Sequence, residues 1–258
     1  MPKAKIALNT LNLIVKADQG DAEAQYKLGK SYSEGVGVSI NAAEAVKWYR
    51  KSADQGNAKA QYKLGVCYNY GKGVSKDESE AVKWYREAAE KGYTEAQFKL
   101  GWCYKWGEGV SKDESEAANW YRKAAAGFRE AADQGHAEAK YSLGKCYEYG
   151  RGVPKNNYEA VEWYRKAADQ GHAEAQYKLG KSYSEGIGVS INATEAVNWY
   201  RKAADQGNAE AQYWLGYCYE FGRGVSKDES EAVKWYRKAA KQGHYYAQII
   251  LKRKGLSW

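Results

Sequence analysis

The chain has 258 residues, with 40 basic and 32 acidic side chains and a formal net charge of +8. That balance permits attraction to acidic surfaces, nucleic acid or anionic lipid without requiring any of them. No apolar run approaches the length that crosses a bilayer. Two prolines and three phenylalanines stand beside 24 tyrosines and 10 tryptophans, a skew that one repeated template explains.

Residues 1–20 open with MPKAKIALNTLNLIV, two lysines before a short apolar stretch. Asn9, Thr10 and Asn12 interrupt that stretch and no small-residue cleavage site follows, so no signal peptide is expected. Residues 6–20 read instead as a single helix that ends in Ala-Asp-Gln-Gly and caps whatever follows.

From residue 21 onward the chain repeats itself. A Leu-Gly pair recurs at Leu28-Gly29, Leu64-Gly65, Leu100-Gly101, Leu143-Gly144, Leu179-Gly180 and Leu215-Gly216, at 36-residue steps except for one of 43. The units run 21–56, 57–92, 93–135, 136–171, 172–207 and 208–243, and 244–258 form a C-terminal cap in which Lys252 replaces the usual glycine.

Each unit predicts two helices. In the second unit Ala58, Tyr62, Gly65 and Tyr68 fall at helical spacing, and Gly65 allows a neighbouring helix to come close. Gly71 ends that helix, and Gly71-Lys72-Gly73-Val74 form a turn of residues tolerant of positive φ. Ser75 or Asp77 can then cap a second helix, with Glu78 and Glu80 at its positive end. Ala81, Trp84, Tyr85, Ala88 and Ala89 make an apolar stripe that one helix pair cannot bury alone, so the units must stack into about fourteen helices with their caps.

The pattern A-x-A-Q-x-x-L-G-x-x-Y-x-x-G-x-G-V followed by E-A-x-x-W-Y resembles the Sel1-like repeat, a relative of the tetratricopeptide repeat, and six copies cover 21–243. The resemblance implies an all-α, right-handed superhelical solenoid whose first helices line a concave groove. It also implies an adaptor or scaffold for a protein partner, with no common catalytic activity.

The third unit carries seven extra residues. RKAAAGFREAA between Tyr121 and Asp133 looks like a duplicated heptad, with the insertion at Ala126–Ala132. Seven residues are nearly two turns, so the second helix is expected to lengthen by about 10 Å and keep its face. Gly127 leaves a kink or a bulged loop as alternatives.

Chemistry is sparse elsewhere. Cys67, Cys103, Cys146 and Cys218 fall at one position of four units and, too far apart to bridge, are expected as buried free thiols in a reducing, cytoplasmic setting. The disulfide staple of cysteine-rich Sel1-like proteins has no counterpart, because Ala-Ala stands where its second cysteine would be. His136, His172 and His244 open first helices and are read as exposed helix starts rather than metal ligands. No nucleophile, base and orienting acid are brought together by the pattern, and the Gly-Lys-Gly and Gly-Arg-Gly turns lack the ending of a phosphate loop. No catalysis, cofactor, metal or small-molecule substrate is expected.

Function should lie where the units differ. By analogy with tetratricopeptide grooves, the sixth, ninth, twelfth and thirteenth positions of each unit face a partner. The first and fifth units are polar there, with Lys27, Lys30, Ser33 and Glu34 and with Lys178, Lys181, Ser184 and Glu185. The others supply the candidate binding residues Lys63 and Tyr70, then Lys99, Trp102, Lys105 and Trp106, then Lys145 and Tyr149, then Trp214, Tyr217 and Phe221. Aromatics interleaved with lysines suit a protein or peptide with apolar anchors and acidic groups. Alternatively Trp102, Trp106 and Trp214 pack against neighbouring helices. Trp48, Trp84, Trp120, Trp163, Trp199 and Trp235 recur in every unit and are read as core.

Two other functions are kept open. One is an effector or immunity-type inhibitor of a partner enzyme. The other is a single-stranded nucleic-acid binder, against which acidic residues interrupt the basic ones throughout.

Overall fold

The computed structural model describes residues 8–258, so the part of the expected N-terminal cap at residues 1–7 lies outside the described residues. Among the described residues there are fourteen helices and no strand, an all-α repeat fold. The chain forms two compact units, Met1–Ala125 and Ala126–Trp258.

The first unit contains α1 (Leu8–Asp18), α2 (Ala22–Glu34), α3 (Ala42–Asp54), α4 (Ala58–Tyr70), α5 (Glu78–Glu90), α6 (Thr94–Trp106) and the start of α7 (Glu114–Asp133). The second holds the end of α7, then α8 (Ala137–Tyr149), α9 (Asn157–Ala168), α10 (Ala173–Glu185), α11 (Ala193–Asp205), α12 (Ala209–Phe221), α13 (Glu229–Lys241) and α14 (Tyr245–Arg253). Each helix from α1 to α5, and each from α8 to α13, packs on the next.

Local chemistry sets the helix ends. Asn57 Oδ1 accepts from the Ala60 amide at 3.0 Å to start α4, and Gly71 ends it in the left-handed region at φ 66°. Asp77, rather than Ser75, starts α5 by accepting from the Glu80 amide at 2.9 Å.

Two contacts hold the stack together. Inside each repeat the Leu-Gly glycine lies against the tyrosine of the Trp-Tyr pair: a Cβ on Gly65 would sit 2.7 Å from the Tyr85 ring, which is completely buried. Between repeats the second glycine of the turn rests on the preceding second helix, and a Cβ on Gly73 would fall 2.1 Å from the Ala42 carbonyl oxygen. A buried glutamine adds a third tie. Gln61 Nε2 donates to the Ala53 carbonyl at 3.2 Å and Gln97 Nε2 to that of Ala89 at 3.2 Å, adding a side-chain donor from the next repeat to a carbonyl that also accepts from the Gly56 or Gly92 amide. In the fourth repeat, which follows the insertion, this position is Lys140.

Of the open alternatives for the insertion, the structure takes the lengthened helix: α7 has 20 residues where the other second helices have 12 or 13, and Gly127 lies within it. Its jobs are divided. In α5 the adjacent pair Tyr85 and Arg86 packs under Gly65 and donates to the Tyr104 hydroxyl at 2.6 Å. In α7 Tyr121 takes the first task, beneath Gly101, and Arg129 takes the second, donating to the Tyr147 hydroxyl. Phe128 is buried beside Arg129, as tyrosine is in the other repeats.

Two expectations need correction. Trp120, Trp163, Trp199 and Trp235 are buried, but Trp48 and Trp84 are only half-buried. His136 is exposed as expected, whereas the His172 and His244 side chains are only 11% and 6% exposed. Each stacks on a tyrosine of the preceding repeat, His172 on Tyr141 at 4.7 Å and His244 on Tyr213 at 4.6 Å, and each Nδ1 caps its own helix. The four thiols are buried and free, and burial pushes Cys103 and Cys146 up to about 12.

Candidate functional site

The variable positions of the first helices gather into one aromatic cluster in each unit. In the first unit Trp102 is half-buried against the core, while Trp106, one turn on, is 57% exposed. Their rings lie 5.7 Å apart. Trp102 Nε1 donates to Glu108 at 3.1 Å, which fixes the indole from the turn that follows. Lys105 stands 5.9 Å from the Trp106 ring, and Lys99 lies 5.9 Å from exposed Tyr70 on the preceding helix. Lys63 is set over Tyr62 at 6.0 Å.

In the second unit Trp214, Tyr217 and Phe221 form a ladder along α12, with ring separations of 5.5 and 4.6 Å and Phe221 57% exposed. Beside it opens a cleft of about 420 Å³ between α10, α11 and α12, lined by Glu185, Ile191, Trp214, Tyr217 and Arg223. Tyr149 sits apart from that ladder, next to an ion pair: Lys178 Nζ contacts Glu148 at 2.9 Å and the Tyr149 hydroxyl at 3.2 Å. Glu148 also accepts from Tyr164. Burial alone would raise the Glu148 carboxyl, but hydrogen bonds from Tyr164 and Lys178 outweigh it and hold the group below 4.5. Lys145 lies over Tyr141 at 4.7 Å.

The sequence reading missed one member of this face. The residue between the two turn glycines is Lys72, Glu108, Arg151 or Arg223 in the aromatic repeats and Val36 or Ile187 in the polar ones. Lys72 lies 5.7 Å from Tyr70, Arg151 4.8 Å from Tyr149, and Arg223 5.1 Å from Tyr217. Its variation from repeat to repeat was the available signal. Among the described residues no group of three or more His, Cys, Asp or Glu side chains stands together as a metal site would require.

Helix pairs locked by glycine–tyrosine contacts, with side chains that vary on one face, define an all-α helical-repeat protein. The chain belongs to the Sel1 repeat family, whose model matches residues 22–57, 58–93, 94–127, 137–172, 173–208 and 209–244. The third match stops inside α7 and the fourth resumes after it.

A Sel1 repeat protein from Oxalobacter formigenes is 36% identical over 90% of this chain and 97% of its own, with a TM-score of 0.68. The protective antigen c5321 of uropathogenic Escherichia coli, which displays an SLR fold, is 39% identical over 96% of this chain at a TM-score of 0.58. This chain spans about half of that protein, 51%. Immunity protein Pa5087 from Pseudomonas aeruginosa, 22% identical over 87% of this chain and 83% of its own with a TM-score of 0.58, shares the fold alone. No curated protein matches.

Sel1 repeat proteins generally mediate protein–protein interaction and are generally non-enzymatic scaffolds. No helix among the described residues is long and apolar enough to cross a membrane.

Proposed function

We propose that this chain is a non-catalytic scaffold or adaptor that holds a protein or peptide through the variable face of its first helices. The observation that carries this reading is the exposure of Trp106 and Phe221 at positions the stack does not use: Trp106 stands beside Lys105 and Trp102, and Phe221 beside Tyr217, whose ring Arg223 approaches at 5.1 Å. Exposed aromatic anchors with a cation in each cluster suit a segment that brings apolar side chains and carboxylates together. The half-burial of Trp102 and Trp214 gives those anchors a rigid base, so little side-chain freedom is lost on binding. Four buried, unpaired thiols support a reducing compartment such as the cytoplasm. The likeness to immunity proteins is one of fold and favours no inhibitor role.

The test is affinity capture from extract of the source cell, comparing wild type with Trp102→Ala/Trp106→Ala and with Trp214→Ala/Phe221→Ala. Proteins retained by wild type should be lost from one or both variants while helicity is unchanged. The same capture by both variants would overturn the proposal.

A further inference from the structure

A second surface lies on the other helix of the repeat. In five repeats the residue three after the Trp-Tyr tryptophan is lysine, and its ammonium stands over the indole: Lys51 over Trp48 at 4.2 Å, Lys123 over Trp120 at 4.2 Å, Lys166 over Trp163 at 4.0 Å, Lys202 over Trp199 at 3.8 Å and Lys238 over Trp235 at 3.8 Å. The protein thus shows five times what this ring environment holds: an ammonium over the indole.

The second repeat departs from the rule. Here the position is Glu87, and no cation covers Trp84 among the described residues. The ring is half-buried and faces a cleft of about 410 Å³. Glu80 holds its edge, accepting from Trp84 Nε1 at 3.1 Å. Glu87 and Asp54 line the same cleft and make no ion pair among the described residues.

The two cations of the cleft are committed elsewhere. Lys83 pairs with Glu80 at 3.0 Å, and Lys91 donates to the Gly56 carbonyl at 2.9 Å and to Gln61 at 3.2 Å. Gln55, Gln206 and Gln242 bind the corresponding glutamines in other repeats, so Lys91 replaces a neutral donor and does not substitute for the missing ring cation.

We propose that Trp84 and Glu87 form a receptor for a lysine side chain of a partner protein, the ammonium lying over the indole and against the Glu87 carboxylate. Replacing the internal lysine by glutamate does two things at once: it vacates the π-face and puts a carboxylate where it meets an incoming ammonium. The site is separate from the aromatic clusters of the first helices and does not depend on them.

The experiment titrates the full chain with Nα-acetyl-lysine methylamide and follows the Trp84 indole N–H resonance, assigned with Trp84→Phe. A saturable shift is expected with the lysine amide and none with the norleucine amide. Glu87→Lys restores the arrangement of the other five repeats, so it should melt like wild type and show no shift, its own ammonium covering the ring. Trp102→Ala/Trp106→Ala should leave the response intact, which separates this site from the face proposed above. No saturable shift, an equal shift with the norleucine amide, or a shift that persists in Glu87→Lys would each overturn the proposal.

Discussion

Gly65 touches Tyr85 through the space where any other residue would carry a Cβ. The nearest ring carbon would lie 2.7 Å from that Cβ and the Ala81 carbonyl oxygen 3.1 Å. Tyr85 cannot swing away, because its ring has no exposed surface. Gly65→Ala should therefore destabilise the protein by about 2 kcal/mol through overpacking, despite alanine's better helix propensity. The check is a lower urea midpoint with an unchanged slope. The close approach at Gly65 was legible in the sequence; that the Tyr85 ring is what fills it shows only in the fold. The environment of His172 and His244 was not. Their position at a helix start was visible, but the tyrosines that stack on them, Tyr141 and Tyr213, lie one repeat earlier and only folding brings them near. Trp48 and Trp84 were grouped with the core because periodicity places a residue on a face without saying how deeply that face is covered; Trp48 is half-buried even with Lys51 over its ring.

At the scale of helices, the tie between α8 and α10 is sensitive to pH. Glu148 on α8 is held below its ordinary 4.5 despite its burial, and Lys178 on α10 is held above 10.5 because Glu148 and Tyr149 outweigh its own burial. A carboxylate with a depressed folded value stabilises above 4.5, and that contribution vanishes as pH falls through the folded value. An ammonium with a raised folded value stabilises below 10.5 and loses its contribution as pH rises through its own. Wild type should lose thermal stability faster than Glu148→Gln as pH is lowered through 4.5, with the two curves parallel at neutral pH. Calorimetric scans across that range test it, and parallel acid limbs would show that the pair contributes nothing. This tie was half-legible: Lys178 and Glu148 both occupy variable positions, but their pairing was hidden because i to i plus 30 pairings depend on the stack rather than on a helix face. The turn residues Arg151 and Arg223 were overlooked through the same attention to helices, since the glycines on either side marked the segment as a connection only.

For the molecule as a whole, composition and period were enough to predict an all-α repeat fold, because each repeat must bury an apolar stripe it cannot bury alone. The two compact units were not foreseen, although the irregularity next to their boundary was. A duplicated heptad can be seen in sequence; which of its two copies serves which neighbour cannot. The answer, Tyr121 for α6 and Arg129 for α8, makes a sharp expectation about length. Removing Arg122 through Phe128 joins Tyr121 to Arg129 and restores Trp-Tyr-Arg-Glu-Ala-Ala-Asp-Gln-Gly, a regular repeat. The shortened chain should fold with the same helicity per residue and unfold cooperatively, as circular dichroism on melting would show. An aggregated or partly helical product would mean that the extra heptad is needed for folding.

The divided labour of α7 also bears on how such a chain can change over time. A single helix whose two ends answer to different neighbours should accept a gain or loss of one heptad between them without a second, compensating mutation. It is therefore a natural crossover point, where arrays of different ancestry can be joined and each side keeps its own packing partner.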